Sequence, residues 1–173
     1  MSNYGFYIDK ITNSIEDAIT GKSLDTDVVP VIPIDLKAVL KKAGWRFNWK
    51  IELKYTSHQL YKLVIRNETD IQGLVSPQPM ENFIEMHLIE TAPQNYGHSK
   101  KYMGVAGNLV AFACKMSFNL GFEGYVAFRA KTGLIQHYID TLDAELIFKD
   151  RMTISTIPAK KLVNSYYKSY FNG

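Results

Sequence analysis

The sequence predicts a fold of the α/β or α+β class, in which helices pack on a mixed central sheet. Three observations support this class: strand-like segments follow one another between residues 45 and 93, an apolar segment with a helical period follows at 105–120, and strand and helix patterns then alternate up to residue 158. Because a strand–helix–strand crossover joins parallel strands, the sheet should contain a parallel pair near its centre.

The first 44 residues carry the weakest patterns. The segment SIEDAI indicates a short helix with Ser14 as its N-cap, since a serine oxygen can accept a hydrogen bond from a free helix amide. Residues 20–33 are predicted to be loop and extended chain. A second helix is predicted over 35–44, capped by Asp35 and ended by Gly44, which can adopt the left-handed conformation.

The segment WRFNWKIELKY at 45–55 has the strictest pattern in the chain. Apolar or aromatic residues occupy its odd positions and polar residues its even positions. A period of two predicts a strand with one buried face. Three further strands are predicted at 61–67, 70–76 and 83–93.

A helical period replaces the strand pattern after residue 104. Apolar residues recur at intervals of three or four, which places them on one face of a helix: Val105, Leu109, Phe112, Met116 and Leu120. A fifth strand is predicted at 124–132, a helix at 132–142, two strands at 145–148 and 152–158, and an amphipathic helix in the tail. The chain of 173 residues is expected to form one domain, with an N-terminal segment (1–44), a core (45–158) and a C-terminal helix (159–173).

The composition indicates an ordinary globular protein. A formal net charge of +3 is too small to indicate a nucleic-acid partner, and the single cysteine excludes an internal disulfide. The start of the chain lacks the apolar region of a signal peptide, and no window approaches the roughly 20 apolar residues of a membrane span. We therefore expect a cytoplasmic protein with no membrane contact.

Glycines cluster where the long helix begins, in the segment KKYMGVAGNLV. The free amides at a helix N-terminus favour an anion, and glycines let a phosphate approach the backbone. The expected donors are Gly104, Val105, Ala106, Gly107 and Asn108, with Lys100 and Lys101 adding positive charge. The spacing fits neither the dinucleotide fingerprint nor the P-loop pattern, and a tight turn without a ligand is the alternative.

This segment resembles the pyrophosphate loop of the GNAT superfamily of acyl-CoA N-acyltransferases. Lys101 stands at the Gln or Arg position of the family pattern, Gly104 at its glycine and Ala106 at its Gly or Ala. The order of predicted elements between 45 and 158 is also similar to the family order. Lys101 departs from the pattern, because an ammonium group lacks the planar fork of arginine.

The resemblance implies that the pantetheine arm of acetyl-CoA, or of another acyl-CoA, lies between the predicted strands at 83–93 and 124–132. It would pair with the backbone of Leu88, Ile89 and Glu90. Tyr138 stands where the family places the tyrosine that protonates the departing thiolate. Lys131 occupies a position near the cofactor where the family often has asparagine.

Transfer to an amine requires a base, because an ammonium ion is not nucleophilic. Strand alternation places Glu85 and His87 on one face, with Ile84, Met86 and Leu88 on the other. Glu85 is the first candidate and His87 the second. Glu90 is the third. A structural hydrogen-bonded pair or simple surface exposure is the alternative for Glu85 and His87.

The function implied by the resemblance is acetyl transfer from acetyl-CoA to a primary amine, on a small molecule or a protein, by direct attack in a ternary complex. The alternatives are a non-catalytic module that binds CoA or a partner, and an RNA-associated acyltransferase, although nucleic acid is not expected as a partner. Four scattered histidines and Cys114 show no metal-ligand spacing, so no metal is expected. A homodimer is left open.

Overall fold

A seven-stranded mixed sheet forms the framework of the protein and confirms the predicted fold class. The computed structural model of the chain describes residues 5–172. In chain order its strands are β1 (Ile15–Asp17), β2 (Ser23–Leu24), β3 (Thr26–Pro30), β4 (Tyr61–Ile65), β5 (Ile71–Pro79), β6 (Ile84–Thr91), β7 (Tyr102–Met103), β8 (Val126–Arg129), β9 (Glu145–Phe148) and β10 (Arg151–Ile154). The order in the main sheet is β3-β4-β5-β6-β8-β10-β9, and β1, β2 and β7 form a small separate sheet.

Helices pack on both faces of the main sheet. They are α1 (Trp49–Tyr55), α2 (Val105–Asn119), α3 (Ile135–Leu142) and α4 (Thr156–Tyr166). The consecutive residues Leu74 and Val75 of β5 belong to different hydrophobic clusters, so the clusters lie on opposite faces. The larger cluster contains residues of α2 and α4, and the smaller contains Trp49 of α1.

The parallel pair predicted from the crossover is formed by β6 and β8, which α2 connects. Their register joins Ile84 to Val126 and Glu85 to Ala127, and no further pair joins them in the described part of the chain. Because β6 continues to Thr91, the two strands separate and leave a gap between them.

A β-bulge interrupts β6 at the beginning of this gap. Against β5, Ser76 lies opposite Leu88, whereas Pro77 lies opposite Met86. His87 is therefore the additional residue, and the bulge resets the side-chain alternation.

The bulge changes the face on which Leu88 lies. Ile84, Met86 and Ile89 belong to the larger cluster, but Leu88 packs against the smaller one. The prediction that Leu88 shares a face with Ile84 and Met86 is wrong for this reason.

The strand predicted at 45–55 is also wrong, because α1 occupies most of this segment. The side-chain oxygen of Asn48 caps the helix by accepting a hydrogen bond from the amide of Ile51 at 3.1 Å. Trp49 and Leu53, one helical turn apart, face the smaller cluster, while Ile51 is 52% exposed. The apolar odd positions do not form one buried face.

A strand, β1, replaces the short helix predicted at SIEDAI. The carboxylate of Asp17 accepts hydrogen bonds from the amides of Ile19 and Thr20, each at 2.9 Å. This side chain stabilises the turn between β1 and β2, since aspartate mimics a backbone turn in this position. The helix prediction is therefore wrong.

Two short 3-10 turns, Pro33–Leu36 and Lys41–Ala43, replace the helix predicted at 35–44. The backbone is extended at Leu40, with φ of −128° and ψ of 151°. This break lets apolar residues on both sides of it reach the smaller cluster. Gly44 does adopt the predicted left-handed conformation, with φ of 103°.

The remaining predicted elements are present with shifted ends. The strand predicted at 152–158 stops at Ile154, and α4 begins at Thr156 rather than at 159. Pro158 lies in the first turn of α4, where its missing amide costs no hydrogen bond. Within residues 5–172, no helix is long and apolar enough to cross a membrane.

Candidate active site

The separation of β6 and β8 opens a cleft. A cavity of about 560 Å³ lies between the strands and is lined by residues 86–89 of β6 and residues 128–132 at the end of β8. The charged residues at its edge are Arg129, Lys131 and Asp150. Both the volume and the mixture of apolar and polar walls are typical of a site for a small ligand.

The start of α2 lies beside the cleft. Gly104 is the N-cap residue, with a positive φ of 86°, and it provides no side-chain cap for the helix amides. The next residues, Val105, Ala106 and Gly107, are buried. The side chain of Asn108 donates to the hydroxyl of Thr26 at 3.1 Å and therefore faces β3.

The N-terminal residues cover this helix start. The amide of Gly104 donates to Asp9 Oδ1 at 3.1 Å, and Lys100 Nζ lies 3.2 Å from Asp9 Oδ2. Thr12 packs so tightly here that a Cβ at position 104 would overlap it, and a Cβ at Gly107 would overlap the Tyr166 hydroxyl. The backbone donors predicted to bind a phosphate are thus engaged or covered by the chain itself.

Tyr138 on α3 lies behind the wall of the cleft, in contact with the lining residues Phe6 and Phe128. Its ring is 1% exposed, and its hydroxyl donates to the carbonyl of Phe6 at 2.6 Å. The rings of Phe6 and Tyr138 stack with centroids 4.5 Å apart. Burial raises the pKa of the Tyr138 phenol well above its ordinary value, so the phenol keeps its proton at neutral pH.

The two predicted lysines lie at different places. Lys131 is exposed at the edge of the cleft. Lys101 is also exposed, but its ammonium group lies over the ring of Tyr102, 5.5 Å from the centroid. The backbone of Lys101 is already used, since its amide donates to Gln94 and its carbonyl accepts from Ala18. Lys100, not Lys101, is the lysine that meets an anion at the start of α2.

The two carboxylate candidates on β6 both have strong partners. Glu85 forms a bidentate ion pair with Arg151, at 2.6 and 2.7 Å, and this hydrogen bonding raises the pKa of Arg151. Glu90 is 1% exposed and accepts hydrogen bonds from the amides of Arg46 and Phe47 and from the indole of Trp49. Both carboxylates thus have structural roles that compete with a role as base.

His87, the bulged residue, is exposed and lines the cleft cavity. Its Nε2 lies 2.8 Å from Gln78 Oε1. An amide oxygen only accepts, so Nε2 must carry the proton and the neutral ring has its lone pair on Nδ1. The ring of His58 stacks on that of His87, with centroids 5.2 Å apart.

His58 is the first member of a series of hydrogen-bonded side chains, His58–Ser76–Glu52, which the sequence did not reveal. The Nε2 atom of His58 lies 2.6 Å from the hydroxyl of Ser76, and this hydroxyl donates to Glu52 Oε2 at 2.7 Å. Burial lowers the pKa of His58, with a further contribution from His87, while Glu52 opposes the shift. Ser76 is fully buried. Sequence reasoning missed these hydrogen bonds because it placed Glu52 on a strand, whereas Glu52 lies on α1.

Several solved structures are similar to this chain, and two of them contain acetyl-CoA. One is a mutant of the toxin AtaT bound to the C-terminus of the antitoxin AtaR and to acetyl-CoA, with 14% identity, a TM-score of 0.51, and coverage of 80% of this chain and 98% of that chain. The other is AtaTR bound with acetyl-CoA, with 13% identity, a TM-score of 0.50 and the same coverages. The chain has a GNAT-like fold. At this level of identity the likeness establishes the GNAT-like fold and nothing finer.

A third match is an acetyltransferase from Bacillus subtilis in complex with CoA, with 14% identity, a TM-score of 0.46, and coverage of 77% of this chain and 99% of that chain. No protein-family model matches the sequence, and no curated protein is significantly similar to it. The GNAT-like fold is therefore recognised from the shape of the backbone rather than from close sequence relatives.

The remaining reactive groups are isolated. Cys114 is fully buried in α2, and burial raises the pKa of its thiol strongly, as expected for a small core residue. Among residues 5–172, no cluster of histidine, cysteine and acidic side chains could hold a metal ion.

Proposed function

We propose that the protein is an acyl-CoA-dependent acyltransferase that transfers an acetyl group to a primary amine. The observation that carries this proposal is the cleft where β6 and β8 separate. Tyr138 lies behind its wall, in contact with Phe6 and Phe128, and the start of α2 has no side-chain cap. The acetyl-CoA bound to the AtaT structures supports the choice of cofactor.

The pantetheine arm would lie in the cleft, along the backbone of Leu88, Ile89 and Glu90, with Lys131 at its edge. The diphosphate would lie at the amides of 104–108, close to Lys100 and Lys101. A carboxylate already occupies this position, since Asp9 accepts from the Gly104 amide, so the site fits an anion. The cofactor can reach it only if residues 5–12 move.

His87 is our first choice as base, ahead of Glu85 and Glu90, because its Nδ1 is left as an acceptor and its ring borders the cleft. It would take one proton from the ammonium form of the acceptor. The amine nitrogen then bonds to the acyl carbon as the carbon–sulfur bond breaks. Direct attack requires no covalent intermediate on the protein, and most of the rate enhancement would come from proximity and proton transfer.

The hydrogen-bonded series of His58, Ser76 and Glu52 would support proton transfer to His87. The carboxylate of Glu52 fixes the hydroxyl of Ser76, which in turn fixes the ring of His58. His58 then packs against His87 and holds its ring towards the cleft.

Tyr138 would give its proton to the departing thiolate and recover one from the acylated nitrogen. The phenol is protonated at neutral pH, but burial raises its pKa and makes it a weaker acid than an ordinary tyrosine, so the transfer to the thiolate becomes easier once residues 5–12 move and the hydroxyl meets water. The hydroxyl is free for this role only after its bond to the Phe6 carbonyl is broken.

One observation favours a second candidate, a module with this fold that catalyses nothing. Residues 5–12 accept hydrogen bonds from the Tyr138 hydroxyl and the Gly104 amide, as a permanent part of the core would. Such a module could bind a partner on another surface, as AtaT binds AtaR.

Thermal unfolding with CoA, acetyl-CoA and NAD in parallel tests the proposal. A ligand at a hundred times its dissociation constant adds about 2.7 kcal/mol to the free energy of unfolding. We expect both CoA species to raise the melting temperature and NAD to leave it unchanged. Release of the CoA thiol in the presence of primary amines then separates the enzyme from the non-catalytic module.

A further inference from the structure

Residues 5–12, called the N-terminal segment below, run from the cleft, which Gly5 and Phe6 line, to the start of α2, where Asp9 meets Gly104. Gly5 packs on Leu134, and Phe6 stacks on Tyr138 and meets Phe128 edge to face. Phe6 and Ile8 are 8% and 5% exposed, so both are anchored in the larger cluster.

Hydrogen bonds fix the N-terminal segment at several points along its length. The carbonyl of Phe6 accepts from Tyr138, and the amide of Ile8 donates to His137 Nε2 at 3.0 Å. The amide of Thr12 donates to the hydroxyl of Tyr166 at 3.1 Å. These partners belong to α3 and α4, so the segment is attached to two helices.

The N-terminal segment uses the polar groups that an acyl-CoA would need. Asp9 accepts a hydrogen bond from the amide of Gly104 and pairs with Lys100, and both groups would otherwise be available to a diphosphate. The carbonyl of Phe6 accepts a hydrogen bond from the hydroxyl of Tyr138, which would otherwise be available to the thiolate. The segment and the cofactor therefore cannot occupy the cleft together.

We infer that the N-terminal segment is an autoinhibitory element that competes with acyl-CoA for the cleft. Its aromatic ring fills the end near Tyr138, and its carboxylate fills the anion position at α2. The inference rests on the proposed function. A chain in which the segment is out of the cleft only a tenth of the time would bind the cofactor about tenfold more weakly than an open one.

The test compares two full-length variants, Ile8→Asp and Tyr7→Asp, by calorimetric titration with CoA. Both add one negative charge to the N-terminal segment, which by itself disfavours an anionic ligand. Ile8 is buried, whereas Tyr7 is 64% exposed and its ring lies 4.2 Å from that of His137, so I8D should expel the segment far more often than Y7D. We expect I8D to bind CoA about tenfold more tightly than Y7D, and equal affinities would refute the inference.

Amide hydrogen exchange on the wild-type chain provides a second measurement that does not depend on how I8D folds. Saturating CoA should accelerate exchange of the segment's amides, including that of Ile8, and unchanged protection would refute competition. If neither the wild type nor I8D binds CoA while both melt cooperatively, the proposed function fails. If both bind with equal affinity, only autoinhibition fails.

Discussion

Replacing Glu90 by glutamine should destabilise the protein strongly although it removes no volume. The carboxylate is 1% exposed and accepts hydrogen bonds from Arg46 N at 2.6 Å, Phe47 N at 3.2 Å and Trp49 Nε1 at 2.8 Å. The single oxygen of a glutamine amide can replace only one carboxylate oxygen, either the one that accepts from Arg46 or the one that accepts from Phe47 and Trp49. Its NH2 group would then face a donor on the other side, which breaks at least one of these three hydrogen bonds.

The magnitude follows from these contacts. A hydrogen bond to a charged group contributes about 1.5–3 kcal/mol, and a buried donor left unsatisfied costs about 1–3 kcal/mol. We expect Glu90→Gln to lower the free energy of unfolding by about 3 kcal/mol. With a urea m-value of about 2–3 kcal/mol/M, the unfolding midpoint should fall by about 1 M.

Urea unfolding followed by tryptophan fluorescence measures this loss directly, since Trp49 is one of the donors. Glu145→Gln is the matched control, because Glu145 is exposed on the edge strand β9, and its midpoint should not move. A loss below about 1 kcal/mol for Glu90→Gln would refute the reasoning that this carboxylate holds the start of α1 on the sheet.

Three further predictions concern the cleft. Tyr138→Phe should lower thiol release from acetyl-CoA about a hundredfold or more, yet leave CoA affinity equal or higher, because the N-terminal segment loses an anchor; unchanged turnover would contradict the role of proton donor. His87→Gln should reduce turnover about a hundredfold or more without changing the melting temperature or CoA affinity, and a variant as active as the wild type would remove His87 as base. Burial lowers the pKa of His137, which accepts the Ile8 amide as a neutral ring, so the stability from this bond is present above the ordinary histidine pKa and lost as the pH falls through the lowered value. The stability difference between wild type and His137→Phe should therefore be larger at pH 7.5 than at pH 5, and the opposite order in thermal unfolding would contradict the assignment.

The long helix and the crossover were predictable because local patterns determine them. The apolar spacing from Val105 onwards specifies α2, and a strand–helix–strand order specifies a parallel pair. The segment 45–55 was not predictable from period alone. Its residues at positions 49 and 53 satisfy a helical period as well as a strand period, and Asn48 was the signal for a helix N-cap that strand alternation obscured.

The candidate site was predictable only in part, because its geometry depends on pairings that are distant in sequence. The bulge at His87 arises from the register with β5, and no local pattern marks it. The hydrogen bonds from His58 through Ser76 to Glu52 likewise join three places: the turn after α1, strand β5 and helix α1. The conformation of the 45–55 segment matters here, since a strand would not have brought Glu52 within reach of Ser76.

At the start of α2, a carboxylate of the same chain lies where the sequence predicted a bound phosphate. Glycine and free amides predicted an anion there, and the structure has one, but it is the carboxylate of Asp9, which lies 95 positions earlier in the chain. A carboxylate tethered to the same chain acts at a high effective concentration, so an external anion replaces it only by making additional contacts. A diphosphate with a pantetheine arm can do so along the whole cleft. The affinity of the intact chain for CoA should therefore underestimate the affinity of the cleft itself, and the comparison of I8D with Y7D measures the difference.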